Sequence, residues 1–214
     1  MENLHDRRKS YEKAELLETN IQDSPIEQFK IWFKEAELSP EISEANAMSI
    51  STLDDDGCPR TRIVLLKAYD ENGFIFYTNY NSQKGKAIAK TGKVCLHFFW
   101  PNLERQISIK ADIKKISEKE SENYFHSRPR GSQLGAVVSP QSSEIPNRDF
   151  LENKLEELEK EFDGKEVVRP TNWGGFIAKP YEIEFWQGRP NRLHDRIVYK
   201  KRSQGIWITS RLAP

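Results

Sequence analysis

At 214 residues the chain is long enough for one substantial hydrophobic core, or at most two small ones. Charged residues make up 31% and hydrophobic ones 36%, yet aromatics reach 11%, which argues for a packed globule and against disorder. Lys plus Arg balance Asp plus Glu at 33 each, so no global field draws the chain to nucleic acid or an anionic membrane, and any anion site must be built locally.

The opening Met1-Glu2-Asn3-Leu4-His5-Asp6-Arg7-Arg8-Lys9 is charged with no apolar stretch behind it, unlike a secretory signal. No uninterrupted apolar run approaches the ~20 residues needed to span a bilayer, so no membrane partner is expected. Residues 1–20 read as an arm, with a short helix expected over 11–18. Residues 21–214 show no repeat and no composition break, and read as one domain. Ser24-Pro25-Ile26-Glu27 predicts a helix start: Ser24 can cap, Pro25 suits the first helical position and Glu27 completes a capping box. Ile26, Phe29, Trp32, Phe33 and Ala36 follow at helical spacing, which gives this helix a face to bury.

From Ala47 the texture changes to short strands, predicted at 47–53, 60–67 and 74–78. Asp54-Asp55-Asp56-Gly57 and Asp70-Glu71-Asn72-Gly73 separate them as turns. Gaps this short make hairpins, not parallel crossovers. A helix is predicted over 82–90, then strands at 94–100 and 105–116 turned at Pro101-Asn102. Ser117 and Glu120 form a second capping box, opening a helix that runs to Arg128 and stops at Pro129. Residues 131–146 read as loop with a short helical piece, and 149–162 as a helix with a solvated charged face. Strands are predicted again at 175–178, 182–186, 197–201 and 206–210. The sum is a mainly β, α+β fold: an antiparallel barrel-like sheet with surrounding helices. Cys58 and Cys95 are too few and too far apart for a metal knuckle or a redox pair, and free thiols fit a reducing cytoplasm; no metal is expected.

Four clusters could carry chemistry, and each also has a plain structural explanation. Arg62-Ile63-Val64-Leu65-Leu66-Lys67 is a strand with a cation at either end; alternation sets Arg62, Val64 and Leu66 on one face and Ile63, Leu65 and Lys67 on the other. It is either a buried strand with solvated ends or a charged edge facing an anion. Ser82-Gln83-Lys84-Gly85-Lys86 opens a helix directly after a strand, where free N–H groups, the positive dipole end and Lys84 could cradle a phosphate. The same lysines also suit an ordinary solvent face. Tyr124, Arg128 and Ser132 lie four residues apart in turn, a hydroxyl–guanidinium–hydroxyl set suited to a small phosphate monoester or to a plain helix C-terminus. Arg192, His194 and Arg196 alternate, which on an extended segment puts them on one side. There they could hold a flat heterocycle or lace a strand edge with ion pairs.

Together these clusters resemble the pyridoxamine 5′-phosphate oxidase family over nearly the whole chain. The strings that carry the resemblance include 8–11, 62–67, Tyr77-Thr78, 82–85, Glu104-Arg105-Gln106, 124–132, Gln141-Ser142, 184–188, 192–196 and the ending Arg211-Leu212-Ala213-Pro214. The resemblance implies a Greek-key, FMN-binding split β-barrel, a homodimer with FMN between its subunits. It implies oxidation of pyridoxine or pyridoxamine 5′-phosphate to pyridoxal 5′-phosphate, with O2 reduced to hydrogen peroxide. It implies FMN contacts from Arg62, Ile63, Val64, Leu65, Leu66 and Lys67, from Tyr77, Thr78, Gln83 and Lys84, and from Gln106, Gln141, Ser142, Trp186 and Arg196. It assigns the substrate to Lys67, Tyr124, Arg128, Ser132, Arg192 and His194, with Arg8 and Tyr11 of the arm closing over it; Arg192 and His194 stand nearest the chemistry. Gln83 departs from the family pattern, which usually has Arg there, so a charge-assisted phosphate contact becomes at best a neutral one. The arm motif, Arg8-Lys9-Ser10-Tyr11, also lacks the usual acidic residue between its Arg and Tyr.

Three rival readings remain at this point. A related split-barrel flavoenzyme acting on another aromatic, as in phenazine biosynthesis, would not need the Tyr124/Arg128/Ser132 set. A non-catalytic flavin or pyridoxal-phosphate carrier would not need Arg192 and His194. A nucleic-acid-binding barrel conflicts with zero net charge.

Overall fold

A computed structural model describes residues 2–214; Met1, the first residue of the expected arm, lies outside the described residues. Helix α1 (Pro25–Leu38) begins as predicted, with Ser24 Oγ accepting from the amides of Ile26 and Glu27. The return half of the expected box is missing, because Glu27 pairs with Lys30 and Ser24 donates to Glu71.

Strands β1 (Ala47–Leu53), β2 (Pro59–Leu65), β3 (Ala68–Asp70), β4 (Gly73–Asn79), β5 (Lys93–Trp100), β6 (Arg105–Lys115), β7 (Trp173–Gln187), β8 (Asp195–Lys201) and β9 (Trp207–Arg211) form one antiparallel sheet. The order is β2-β1-β5-β6-β7-β4-β3, with β8 and β9 continuing from the second half of β7. Strands β2 and β3 stand at opposite ends of that order, yet only Leu66 and Lys67 join them. The sheet must therefore curl until its ends meet, and the Lys67 amide donates to Ile75 O of β4 at the seam. This is the barrel expected from the hairpin pattern.

The barrel interior holds Met48, Ile50, Leu96, Phe98, Ile107, Ile109, Ile183 and Phe185, all essentially buried. Helix α1 presses Phe29 onto this core, its ring 5.0 Å from Phe74 and 5.2 Å from Phe98, while Trp32 meets Phe185 edge-on. Burying one such ring contributes on the order of 1.5–3 kcal/mol, so this face holds α1 in place. Helices α2 (Gln83–Thr91), α3 (Glu118–Ser127), α4 (Arg130–Val138) and α5 (Asp149–Glu161) lie outside the barrel. The α3 box is complete in both directions. A second apolar cluster of Phe125, Leu134, Val167 and Trp173 packs α3 and α4 against the start of β7.

The structure corrects four expectations. Residues 11–18 form no helix, because their backbone amides are taken by distant carboxylates: Glu12 and Lys13 donate to Glu104, and Leu16 to Asp195. The strands expected at 175–178 and 182–186 are one strand, β7, which crosses Pro180 at a register shift opposite Lys110 and Ala111, where a residue without an N–H is tolerated. Strand β3 pairs with β4 over Ala68–Asp70, where no strand is expected, while the short helical piece expected within 131–146 is present as α4. The strand expected over 60–67 ends at Leu65, since Leu66 turns inward to the core and both its backbone groups pair with Asn46.

Candidate active site

One cavity of about 620 Å³ opens between the end of β2, the end of β4, the start of α2, and α3–α4. It gathers Ile63, Val64, Leu65 and Lys67 with Tyr77, Thr78, Lys84, Tyr124, Arg128, Ser132 and Gln141. Eleven positions from five separate stretches of sequence thus meet in one place. No carboxylate lines it among the described residues.

Two of the cations in this cavity, Lys84 and Arg128, face neutral groups. Lys84 lies on the first turn of α2, whose start is drawn tight against the chain: a Cβ at Gly85 would stand 2.1 Å from Tyr80 O, so only glycine fits there. Ser82 Oγ caps the same turn by accepting from the Gly85 amide. The Lys84 side chain is buried, and its ammonium donates to Thr78 Oγ1 at 3.3 Å and Gln141 Oε1 at 3.4 Å. Burial, with the Arg62 charge adding to it, holds Lys84 down at about 8. Arg128 caps α3, its backbone carbonyl accepting from Gln133 Nε2 at 2.8 Å. Its guanidinium lies 4.6 Å from the Trp173 ring centroid, and Nη1 is buried with no hydrogen-bond partner. A buried donor without a partner costs about 1–3 kcal/mol, so this arrangement is suited to an arriving acceptor. Tyr77 and Tyr124, both in the cavity wall, stack with ring centroids 3.7 Å apart, and burial pushes Tyr77 up to about 12.

A second cavity of about 690 Å³ lies under the arm, lined by Arg8, Tyr11, Arg189, Arg192 and His194 among others. Asn191 and Arg192 both have left-handed φ, 58° and 63°, which costs roughly 1–2 kcal/mol per residue. That strained turn brings Arg192 and His194 to the same cavity. His194 Nδ1 accepts from the Arg189 amide at 3.0 Å, so the neutral ring carries its proton on Nε2. Burial and the neighbouring Arg192 charge push His194 below its usual value, which favours that neutral form. Tyr11, Trp186 and His194 form an aromatic cluster, with the last two 4.6 Å apart.

Gln106, Trp186 and Arg196 stand side by side across β6, β7 and β8. They face away from the core, because Ile107, Phe185 and Ile197 point into it. Arg196 is bound bidentately by Glu184, which pushes it up.

The remaining expected site residues stay apart from both cavities within one chain. Arg62 turns to Thr52 Oγ1, at 2.7 Å, and to the carbonyls of Ile50 and Arg60. Leu66 is core. Gln83 is exposed, and Ser142 lies in the exposed loop after α4 with φ 72°. Sequence reading missed Trp173, Gln133 and Asn46. Trp173 supports Arg128 through its ring face, Gln133 supports it through the backbone carbonyl, and Asn46 fixes the backbone of Leu66; no residue spacing is diagnostic for such contacts.

Residues 35–161 match the family model described as pyridoxamine 5′-phosphate oxidase, and residues 173–214 match that of the pyridoxine 5′-phosphate oxidase C-terminal dimerisation region. The chain is 58% identical to the pyridoxine/pyridoxamine 5′-phosphate oxidase of Flavobacterium psychrophilum over 100% of both chains. It is 57% identical to that of Flavobacterium johnsoniae, again over 100% of both. Among solved structures it superposes on PhzG from Burkholderia lata, a complex with tetrahydrophenazine-1-carboxylic acid, with TM-score 0.86 and 27% identity over 95% of this chain and 100% of that one. A pyridoxamine 5′-phosphate oxidase-related, FMN-binding protein from Nostoc punctiforme shares the fold at TM-score 0.70 and 16% identity, over 89% of this chain and 98% of that one. The chain belongs to the pyridoxamine 5′-phosphate oxidase family, on the FMN-binding split-barrel fold.

Proposed function

We propose that this chain is an FMN-dependent oxidase that converts pyridoxine and pyridoxamine 5′-phosphate to pyridoxal 5′-phosphate, working as a homodimer. The observation that carries the reading is the carboxylate-free cavity in which Lys84 and the Nη1 of Arg128 are buried without anionic partners. A cofactor with one phosphate and a substrate with another fit such a donor set. Lys84, Thr78 and Gln141, with Arg62 adding its charge, suit the FMN phosphate. Ile63, Val64, Leu65, Leu66, Lys67 and Tyr77 would line its ring and chain through backbone and side chain. Gln83 would sit beside the phosphate and Ser142 beside Gln141.

Gln106, Trp186 and Arg196 lie on the outer face of the β6–β8 sheet, within or beside the segment that matches the dimerisation region. They and the arm cavity are assigned to the partner's half of each site, so a complete site needs two chains. Bound FMN supplies the two-electron acceptor, and O2 takes the electrons on as hydrogen peroxide. The protein's own part is orientation and electrostatics. Tyr124, Arg128 and Ser132 anchor the substrate phosphate, a group remote from the reacting C4′ carbon, so that its binding energy fixes the ring in register. Arg192 covers the ring with its guanidinium plane, while His194 offers an Nε2–H donor to a ring substituent. Arg8 and Tyr11, on the arm 1–20 that precedes the domain 21–214, close over the substrate.

No helix among the described residues is long and apolar enough to cross a membrane. Cys58 and Cys95 are free thiols, which supports a cytoplasmic setting. The test is the absorption spectrum of the purified protein under anaerobic conditions. Pyridoxine 5′-phosphate should bleach the flavin band, and air should restore it with one hydrogen peroxide per pyridoxal phosphate formed. A flavin band indifferent to the substrate would refute the activity, and a stable active monomer would refute the shared site.

A further inference from the structure

We propose that Glu104 is a positioning residue for the reaction, whose buried carboxylate clamps the backbone just after Tyr11 and thereby seats Tyr11 over the substrate. Glu104 follows the turn between β5 and β6 and is 2% exposed, rare for a carboxylate. Its Oε2 accepts from two successive arm amides, Glu12 at 2.8 Å and Lys13 at 3.0 Å, and its Oε1 lies 3.5 Å from Lys9 Nζ. The clamp thus brackets Tyr11 on both sides. Charge-assisted bonds of this kind are roughly twice as strong as neutral ones, and burial keeps water from competing for them.

The other half of the seat is also built by Glu104. Its carbonyl accepts from the Gly188 amide at 2.7 Å and from Gln187 Nε2 at 3.2 Å. Gly188 lies directly under the Tyr11 ring, where a Cβ would stand 2.7 Å from Tyr11 Cδ2. Through its backbone Glu104 fixes the floor, and through its side chain it fixes the segment laid upon it. Glu104 achieves this in a left-handed conformation, φ 55° and ψ 39°, that a non-glycine residue adopts only when the surroundings hold it. Gln187, wholly buried, supplies that hold: its amide group also bonds Arg105 Nε and Leu103 O.

A second carboxylate anchors the arm further on. Asp195 accepts from the Leu16 amide at 3.0 Å, and Arg211 ties Asp195 to Glu18. Release at Glu104 is therefore expected to free the arm before residue 16 while leaving the rest docked. Removing Glu104 should loosen Tyr11 without touching the cavity that holds Lys84 and Arg128.

The inference rests on the proposed contact between Tyr11 and the substrate, so the experiment reads the clamp and that contact separately. Trypsin cleavage after Arg8, Lys9 and Lys13 is timed in the FMN-loaded dimer alongside steady-state kinetics with pyridoxine 5′-phosphate. Glu104→Ala should accelerate arm cleavage and raise KM about tenfold, the size expected for a lost charge-assisted contact, with kcat and FMN content little changed. Glu104→Gln, which keeps an acceptor oxygen, should recover much of both. In a chain lacking residues 2–11, Glu104→Ala should add no further loss in KM, because the contact it positions is already gone. Unaltered arm cleavage in Glu104→Ala, or a full additional KM loss in the shortened chain, would overturn the proposal. So would a loss of FMN, which would make Glu104 a cofactor or folding residue. If Glu104→Ala does not fold, Gly188→Ala decides, since it displaces the Tyr11 ring from beneath with the clamp intact: a raised KM supports the seat and an unchanged KM overturns it. Faster arm cleavage with unchanged KM in both Glu104→Ala and Tyr11→Ala would show that the clamp exists but that Tyr11 does not reach the substrate.

Discussion

The two cavities differ in how many of their cations are tied to carboxylates. In the cavity between β2, β4 and α3, Lys84 and Arg128 face hydroxyls, an amide oxygen and an aromatic ring, and no carboxylate. On the wall of the arm cavity Arg189 is paired with Glu15 and Asp195 and Lys9 with Glu104, and Arg211 nearby with Glu18 and Asp195, while Arg8 and Arg192 have no carboxylate partner among the described residues. Paired arginines hold chain segments together. Unpaired buried ones pay a desolvation cost that a bound anion recovers. The difference separates scaffolding charge from binding charge more clearly than the residue types do, since both cavities are rich in Lys and Arg.

If the comparison holds, removing an unpaired cation should cost binding of a particular phosphate. The largest effect is expected from Arg128→Ala: kcat/KM for pyridoxine 5′-phosphate should fall by on the order of 2–4 kcal/mol, as for a lost charged partner. Activity on unphosphorylated pyridoxine should hardly move. Equal losses on both substrates would show that Arg128 serves the fold or the flavin, and would reopen the reading of a flavoenzyme acting on another aromatic. Next comes Lys84→Met, expected to weaken FMN binding by about 1.5–3 kcal/mol in a fluorescence titration of apoprotein while leaving KM for the substrate nearly unchanged once FMN is saturating. Loss of substrate affinity alone would exchange the two phosphate assignments.

The Lys84 ionisation sharpens this further. Its ammonium in the free cavity loses its proton as pH rises through about 8, whereas a bound phosphate favours the charged form. FMN affinity should therefore be full below about pH 8 and decline above it, and Lys84→Met should flatten that decline. An unchanged decline in the variant would assign it to another group. On the arm side, Arg192→Ala should lower turnover by roughly tenfold while FMN content stays normal, because a stacked cation contributes about 0.5–2 kcal/mol. A colourless variant with normal turnover on added FMN would reverse the assignment. Gln83→Arg should have the smallest effect. Gln83 is exposed, so a new cation there is screened and should tighten FMN by less than about 1 kcal/mol. A larger gain would mean that the position is enclosed once two chains assemble.

Most of the elements, and where they begin, are legible in the chain alone. Hairpin spacing, capping residues and hydrophobic period are local signals, readable within a few residues, and they located α1, α2, α3 and the strands of the first half apart from β3. The resemblance likewise named the family from motifs scattered along the chain. Local signals fail where distant groups compete for the backbone. Residues 11–18 carry a helical pattern but spend their amides on Glu104 and Asp195, more than eighty residues away. Strand β7 runs through Pro180 because its neighbour β6 shifts register to accommodate it.

Which charges bind and which brace was also decided only in three dimensions. Lys84 and Arg211 both stand in charged, motif-like strings, yet one is buried against neutral oxygens and the other is gripped by Glu18 and Asp195. A residue's charge is written in the sequence, but its partner is chosen by the curl of the sheet, which brings β2 to β4 and leaves Lys84 and Arg128 facing a cavity without a carboxylate.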